Sequence, residues 1–311
     1  MDAETTDLLR ASIRELLNTH DGDIAGKLDE FGFGEVLEED PAMAVGMLFH
    51  EQGVAGKSSS ALDYVSVMGQ AARVADRQII HPFAATTAAI RSGSHLHIDG
   101  VILSAPRGPA VATVDGVATE ISFPVMISSA VPTVGFDPAS ALCRVHVTIS
   151  ADTAAPVDTV DGTAVTARAH RALASELIGN GTAMLTIATE QIAERTQFGR
   201  PIGANQSPRH RLAETYALLG GAAALVGAAW RSGSAWDARV AKTYAGYAAE
   251  TTGRACLQVC GAIGLTTEHR LPIYVKRGRL LDALYGGWQQ SMDALGGRLL
   301  ADAVVPNAAR I

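Results

Sequence analysis

The chain has 311 residues, of which 48% are hydrophobic and 18% are charged, and its formal net charge is −7. This composition excludes an intrinsically disordered chain, and the acidic balance without a basic segment argues against a nucleic-acid partner. Its three cysteines, Cys143, Cys256 and Cys260, are too few for a disulfide framework, and the last two are expected to be core thiols on one helix.

The N-terminus lacks the apolar core of a signal peptide. The most apolar stretch, residues 216–230, is too short to cross a bilayer and contains three glycines. We therefore expect a cytoplasmic protein with no membrane partner.

Residues 1–78 are predicted to form an N-terminal helical domain. LLRASIRELL, MAVGMLFHEQG and SALDYVSVMGQAARVA have apolar residues at helical spacing. GFGEVLEEDP is predicted to be a turn-rich connection, and Pro41 is suited to begin the helix after it.

Residues 79–160 are predicted to form a small antiparallel β domain. LCRVHVTIS alternates apolar and polar residues, as a strand with one buried face does. Asp99-Gly100 and Asp115-Gly116 each predict a hairpin turn. His95 and His97 would share one strand face and are expected to be exposed polar residues rather than metal ligands.

Residues 161–311 are predicted to form a C-terminal four-helix bundle. We expect a helix over 167–197 broken near Gly179 and Gly181, a second helix capped by Ser207, and two more over 236–260 and 276–302. The second helix carries an apolar stripe, predicted to be its bundle seam: Leu212, Tyr216, Leu219, Ala223 and Val226. The predicted fold class is α+β, mainly α.

The stretch RTQFGRPIGANQ, residues 195–206, connects the first two of these helices. We expect the first helix to end near Phe198, with Gly199 in the left-handed cap position. Arg195, Phe198 and Gln206 then place a planar cation, an aromatic ring and an amide at one corner of the bundle. Such a set suits a ligand with a phosphate and an aromatic ring.

ERTQFGRPIGANQSPRHRLAE, residues 194–214, resembles the acyl-CoA dehydrogenase signature. QVCGAIG at 258–264 and the segment 265–287 resemble two further motifs of that family, as does the order of helices, β domain and bundle. The resemblance implies that FAD is bound by Arg195, Phe198, Gln206, Gln258 and Gly261. In this family these positions contact the adenine and pyrophosphate end of a neighbouring subunit's flavin.

Two parts of the family pattern are missing. The β domain contains neither the T-E-P…G-S-D loop nor the W-I-T-like strand that hold a subunit's own flavin ring. Gly286 replaces the glutamate that removes the α-proton, Trp288 replaces a flavin-contacting threonine, and the alternative base position holds Ala169. Glu176, two turns along the same helix, is the remaining candidate for a displaced base.

The combination resembles one subunit of the heteromeric (α2β2) acyl-CoA dehydrogenases of steroid degradation. It implies α,β-desaturation of a bulky acyl-CoA thioester, with a second subunit that carries the catalytic glutamate and an electron-transfer flavoprotein as acceptor. Two alternatives stay open: a self-sufficient homo-oligomeric dehydrogenase that uses Glu176, and a scaffold subunit that binds no cofactor.

Overall fold

The computed structural model describes residues 3–20, 24–67, 77–133, 135, 137 and 140–303. Within them, five helices come first, two four-stranded sheets follow, and long helices end the chain. The predicted fold class, mainly helical with a small β part, is confirmed.

The N-terminal helices pack on one another and on the long helix α7 (Gly162–Glu194) through a shared apolar core. They are α1 (Ala3–Thr19), α2 (Ala25–Glu30), α3 (Phe33–Glu39), α4 (Pro41–Ala55) and α5 (Ala61–Ser66). Pro41 begins α4 as predicted, and Asp40 caps it by accepting a hydrogen bond from the Met43 backbone N–H at 3.0 Å. The prediction of a turn-rich connection at GFGEVLEEDP is wrong, because α3 forms there and buries Phe33 and Leu37. The predicted continuation of α5 beyond residue 67 lies outside the described residues.

The β part contains two sheets and one short helix, α6 (Phe123–Ser129). One sheet has the order β1 (Gln78–Ile79), β4 (Ala110–Val114), β5 (Val117–Ile121), β8 (Ala155–Asp161). The other has the order β2 (Ala89–Ser92), β3 (His95–Ile102), β7 (Cys143–Ser150), β6 (Ala130–Pro132). Pairing is antiparallel except between β1 and β4.

The two Asp-Gly dipeptides have different roles. Asp115-Gly116 forms the predicted hairpin turn between β4 and β5, with φ of 49° and 83°. The predicted turn at Asp99-Gly100 is wrong, since both residues lie inside the continuous strand β3. Gly100 is needed there because a Cβ would lie 2.6 Å from the His81 carbonyl oxygen.

The bundle is formed by five helices, of which α7 is the central one. They are α7 (Gly162–Glu194), α8 (Gln206–Ser232), α9 (Ala235–Cys260), α10 (Leu271–Ala283) and α11 (Trp288–Asp302). The predicted break in α7 is wrong: Gly179 and Gly181 lie where α4 and α8 pack against it, and a Cβ on Gly181 would lie 2.6 Å from Leu219 Cδ2. The single helix predicted over 276–302 is also wrong, because Leu284–Gly287 separates α10 from α11.

Helix α8 is only partly covered. Leu212, Leu219 and Val226 of the predicted seam are buried, whereas Tyr216 is 73% exposed and Ala223 is exposed. By length and composition alone, α8 is long and apolar enough to cross a membrane, which is weak evidence for a span.

Candidate functional site

The signature stretch forms a hairpin rather than a helix end. Helix α7 ends at Glu194, four residues before the predicted end, and Arg195 is its extended C-cap. Strands β9 (Thr196–Gln197) and β10 (Arg200–Pro201) then pair in antiparallel fashion. Phe198 and Gly199 form the two-residue turn with φ of 53° and 78°, which is the type I′ geometry. The Phe198 ring is fully exposed at the tip.

Local contacts hold this hairpin against the bundle. The Ile202 backbone N–H donates to the Arg195 carbonyl at 2.9 Å, and a short 3-10 helix, Ile202–Ala204, follows. Arg200 donates to the Asn205 side-chain oxygen at 2.6 Å. A Cβ on Gly203 would lie 3.1 Å from the Ile192 carbonyl oxygen, so the close approach of hairpin and α7 favours glycine there.

Gln206 is the first residue of α8 and is exposed. Asn205 occupies the N-cap position, so the prediction of Ser207 as the cap is wrong by two residues. The Asn205 side chain makes no capping hydrogen bond: its oxygen accepts from Arg200, and its amide donates to the Ile202 carbonyl at 3.0 Å. Gln206 therefore follows directly on the packed base of the hairpin.

The second motif lies at the end of α9. Gln258 is exposed on its last turn, and Gly261 follows the helix with φ of 69° and open space around its Cβ position. A 3-10 helix, Gly261–Leu265, continues from it. Cys256 and Cys260 are buried, as predicted, and burial raises the pKa of Cys256 to about 12.

One apolar cluster lies beneath both motifs and places them at the same end of the bundle. It includes Ile192 of α7, Leu212 of α8, and Cys256 and Cys260 of α9, with Ile202 of the hairpin packed against it. The five predicted cofactor-binding positions are thus exposed around one shared core: Arg195, Phe198, Gln206, Gln258 and Gly261. Within the described part of the chain, the Arg195 guanidinium has no hydrogen-bond or ion-pair partner.

The loop between α10 and α11 is closed by buried contacts. Tyr285 has φ of 59° and is buried, its hydroxyl lies 3.0 Å from His81 Nδ1, and His81 Nε2 lies 2.8 Å from Asp63 Oδ1. The Tyr285 backbone N–H donates to the Pro82 carbonyl. No sequence motif links Asp63, His81 and Tyr285, because these residues come from three distant segments.

Position 286 has little room for a side chain. Gly286 has φ of 84°, and a Cβ there would lie 3.1 Å from Gln290 Oε1 and 3.2 Å from Thr86 Cγ2. Lys242, itself 1% exposed, donates to the carbonyl oxygens of Asp282 and Gly286 at 2.6 Å and 2.5 Å. A longer residue at this position would have to displace packed neighbours and adopt a strained backbone.

Trp288 begins α11 and also contributes to the packing of this loop. Its backbone N–H donates to the Asp282 carboxylate at 3.1 Å, and its indole N–H donates to Glu250 Oε2 at 2.8 Å.

The two other positions considered for a base are buried. Ala169 is fully buried in α7. Glu176 is 2% exposed, and its Oε1 accepts a hydrogen bond from Arg277 Nη2 at 2.6 Å, while Arg277 Nη1 lies 3.5 Å from Asp137 Oδ2. Glu176 is therefore half of a buried ion pair and not a solvated charge.

His95 and His97 lie on the exposed face of β3, as predicted, and His97 Nδ1 is 2.9 Å from the Thr148 hydroxyl. Among the described residues, no group of three His, Cys, Asp or Glu side chains is arranged to hold a metal ion.

The hairpin and the α9 motif both lie in a segment that matches a known protein family. Residues 165–300 match the family model of the acyl-CoA dehydrogenase C-terminal domain. This part of the chain is therefore similar to the acyl-CoA dehydrogenase C-terminal domain. Two curated acyl-CoA dehydrogenases named IpdE2 are similar to it. That of Mycobacterium tuberculosis is 34% identical over 149 residues, 48% of this chain and 45% of that protein. That of Mycolicibacterium smegmatis is 33% identical over 105 residues, 34% of each. The matched segments span less than half the length of these relatives.

Solved structures share the fold over nearly the whole chain. The ChsE4–ChsE5 complex of Mycobacterium tuberculosis aligns with a TM-score of 0.72 at 17% identity, over 99% of each chain. The Tcur3481–Tcur3483 steroid ACAD gives 0.71 at 19% identity, over 96% of this chain and 99% of that one. A glutaryl-CoA dehydrogenase of Mycobacterium smegmatis in complex with FADH2 gives 0.66 at 13%, over 98% and 97%. The matched segment therefore lies in a chain with the architecture of these proteins.

Proposed function

We propose that this chain is one subunit of a heteromeric, FAD-dependent acyl-CoA dehydrogenase that desaturates a bulky, steroid-derived acyl-CoA thioester. In this proposal the chain completes a flavin site whose ring-binding platform and catalytic glutamate belong to a second subunit. The complexes named for two neighbours, one of them a steroid ACAD, support both the partner and the substrate class.

The observation that carries the proposal is a contrast between two regions of the acyl-CoA dehydrogenase domain. The five positions that suit a nucleotide tail are exposed at one end of the bundle, and Arg195 there has no partner among the described residues. The position of the family's base is closed, because Gly286 has a left-handed backbone and crowded surroundings. One half of a dehydrogenase site is thus exposed, and the other half has neither a carboxylate nor room for one at position 286.

The exposed residues fit the adenosine and pyrophosphate half of FAD. A planar guanidinium such as that of Arg195 pairs well with phosphate oxygens, and the Phe198 ring offers a free face to adenine or ribose. Gln206 and Gln258 add amide donors and acceptors, and the open space at Gly261 admits a ligand close to the backbone. When bound, FAD supplies the acceptor for the hydride that leaves the β-carbon.

The base is assigned to the partner for a chemical reason. The α-proton of a thioester is weakly acidic, so its removal needs a carboxylate positioned at the α-carbon. Gly286 and Ala169 supply none, and Glu176 is engaged with Arg277 in the core. The part of the chain that the structure describes offers no free acid at these three places.

Purification of the chain alone and with its partner tests the proposal. Alone, the protein should be colourless; co-expressed with a full-length acyl-CoA dehydrogenase that carries the catalytic glutamate, it should form a yellow complex with half as many flavins as subunits. Flavin content is measured by absorbance, and stoichiometry by native mass spectrometry. A yellow, active homo-oligomer from this chain alone would overturn the proposal.

The self-sufficient alternative is separated by two variants of one ion pair. Glu176→Gln and Arg277→Met both break the buried pair, so each should lower the free energy of unfolding by about 3 kcal/mol. Under our proposal, both folded variants keep the turnover of the complex. If Glu176 were the base, Glu176→Gln would abolish turnover and Arg277→Met would not.

The scaffold alternative is separated by Arg195→Ala in the complex. Loss of one charge-assisted contact to pyrophosphate should weaken flavin binding about tenfold or more. Gln197→Ala, at a neighbouring exposed position, is the matched control. Unchanged flavin affinity in Arg195→Ala would favour a subunit that only stabilises the assembly.

A further inference from the structure

A second site candidate lies away from the signature hairpin, in a cavity of about 250 Å³ between the β sheets and the bundle. It is entered where α7 and α9 begin, and α11 and the Tyr285 loop form further walls. Threonine hydroxyls and two guanidiniums line it: Thr86, Thr113, Thr163, Thr166, Arg239 and Arg298. Among the described residues, no acidic side chain is part of the lining.

Of the two cations that line this cavity, Arg239 is the one without an ion-pair partner among the described residues. Arg239 is half-buried, and its guanidinium has no hydrogen-bond or ion-pair partner among the described residues. Burial, and secondarily the nearby Arg298, lower the pKa of Arg239. A partly desolvated cation beside a second cation costs free energy unless an anion joins them.

Arg298 is held in place at the outer side of the cavity. Its guanidinium carbon lies 5.2 Å from the centre of the Trp236 ring, and its Nε donates to Asp302 at 3.2 Å. These contacts use one edge of the guanidinium and its face, so the remaining N–H groups stay available. Asp302 does not line the cavity and leaves Arg239 unpaired.

Two long helices add a positive field. Helix α7, with 33 residues, and α9, with 26, both begin at the cavity through Thr163 and Trp236. Helix N-termini favour anions because their peptide dipoles point positive charge outward. Asp161 and Ser234 already cap backbone N–H groups there, so the helices contribute the field and the arginines contribute the contacts.

We propose that this cavity binds the carboxylate or phosphate group of a small metabolite, with Arg239 as the central ligand and Arg298 at the entrance. Threonine hydroxyls complete the polar contacts, and Trp236, Ala167 and Ala235 offer an apolar wall to the rest of the molecule. The inference does not depend on the proposed flavin site, which lies at the opposite ends of α7 and α9.

Titration of the full chain with potassium phosphate and with sodium succinate, at constant ionic strength, tests this site. Isothermal calorimetry and thermal unfolding should show saturable binding of at least one of these probes. Preference for phosphate or for succinate identifies which oxyanion the site takes, and either preference supports the proposal. A minimal contact is expected to give a dissociation constant of about 1 mM. If neither probe shows saturable binding up to about 10 mM, the proposal is overturned.

Substitutions of the cavity arginines test whether the probe binds in this cavity. Arg239→Gln should lower the affinity for the probe at least tenfold. Arg239→Lys should retain part of that affinity because it keeps the charge. Arg254→Gln is the matched control: it removes an exposed arginine of the same helix, about 22 Å away along the axis. If Arg239→Gln does not fold, Arg298→Gln replaces it, since that side chain is 64% exposed. Equal affinity in the wild type and in the cavity variants would place the anion elsewhere and refute the site.

Discussion

Phe198 combines two properties that are unfavourable for a free chain. A bulky residue with φ of 53° costs roughly 1–2 kcal/mol for a left-handed backbone, and its fully exposed ring makes no compensating contact with the described residues. The other turn of this geometry, Asp115-Gly116, uses a residue that tolerates a positive φ. The phenylalanine is therefore better explained by a contact outside the chain than by stability.

Phe198→Asn should stabilise the isolated chain and weaken the flavin complex. The change creates Asn-Gly, the favoured sequence of a type I′ turn, and should raise the free energy of unfolding by about 1 kcal/mol. In the co-expressed complex it should speed flavin release. Urea unfolding and flavin dissociation by fluorescence measure the two effects.

Asp115→Asn is the control for this prediction, because it alters the other type I′ turn without touching the hairpin. It should leave flavin binding unchanged. A Phe198→Asn chain that is less stable than the wild type, or a complex that keeps its flavin equally well, would contradict the argument.

At the scale of elements, the type of each element was easier to predict from the sequence than the contacts that its residues make with distant segments. Alternation in β7 and the helical periodicity of α1 and α9 are local, and those elements form as predicted. Glycine was ambiguous, because Asp115-Gly116 turns the chain whereas Gly100 and Gly179 permit close approach of another backbone. That distinction depends on distant neighbours, His81 and His50, which no local pattern contains.

The candidate site likewise contains positions that could be predicted from a local motif and positions that could not. The exposed positions could be predicted because the signature motif is contiguous in sequence. Closure of the 286 loop could not, since it depends on Tyr285 reaching His81, which is 204 residues earlier in the chain. Lys242 was missed for the same reason: from α9 it contacts the end of α10 and the loop after it, 40 and 44 residues later, and the sequence pattern predicted that loop as helix.

Lys242 should make stability rise with pH in alkaline solution. Burial lowers its pKa from the ordinary 10.5 to about 8. Between these values the unfolded chain binds a proton that the folded chain has released, so the folded state gains stability as pH increases. From pH 8 to pH 10 the gain should be about 2 kcal/mol relative to Lys242→Met, measured by urea unfolding of both proteins.

Comparison with Lys242→Met cancels the contributions of the other groups that titrate between pH 8 and pH 10, because both proteins contain these groups. Burial also raises the pKa of the neighbouring Asp282 carboxyl above its ordinary value. Parallel pH profiles for the two proteins would show that Lys242 keeps an ordinary pKa in the folded chain.

At the scale of the whole molecule, the outer face of α8 is an apolar surface that the chain itself leaves exposed. Only 33% of its most apolar 18-residue window is buried within the chain. A groove of about 590 Å³ runs between α7 and α8 past Tyr216 and Gly220. An exposed apolar surface of this extent marks a site that binds another protein or a membrane. Under our proposal, the second dehydrogenase subunit binds this surface.

Gly220→Arg should abolish assembly and leave the chain folded. Nothing lies within 4 Å of the Cβ position of Gly220, so an arginine fits the free chain, but it would place a charge in a buried, apolar interface. Circular dichroism should show unchanged helix content, while native mass spectrometry after co-expression should show a monomer without flavin. Gly26→Arg, the same change at another open helical position on α2, should still assemble. If Gly220→Arg kept the complex intact, or if the wild-type chain bound lipid vesicles in place of its partner, α8 would not be the subunit interface.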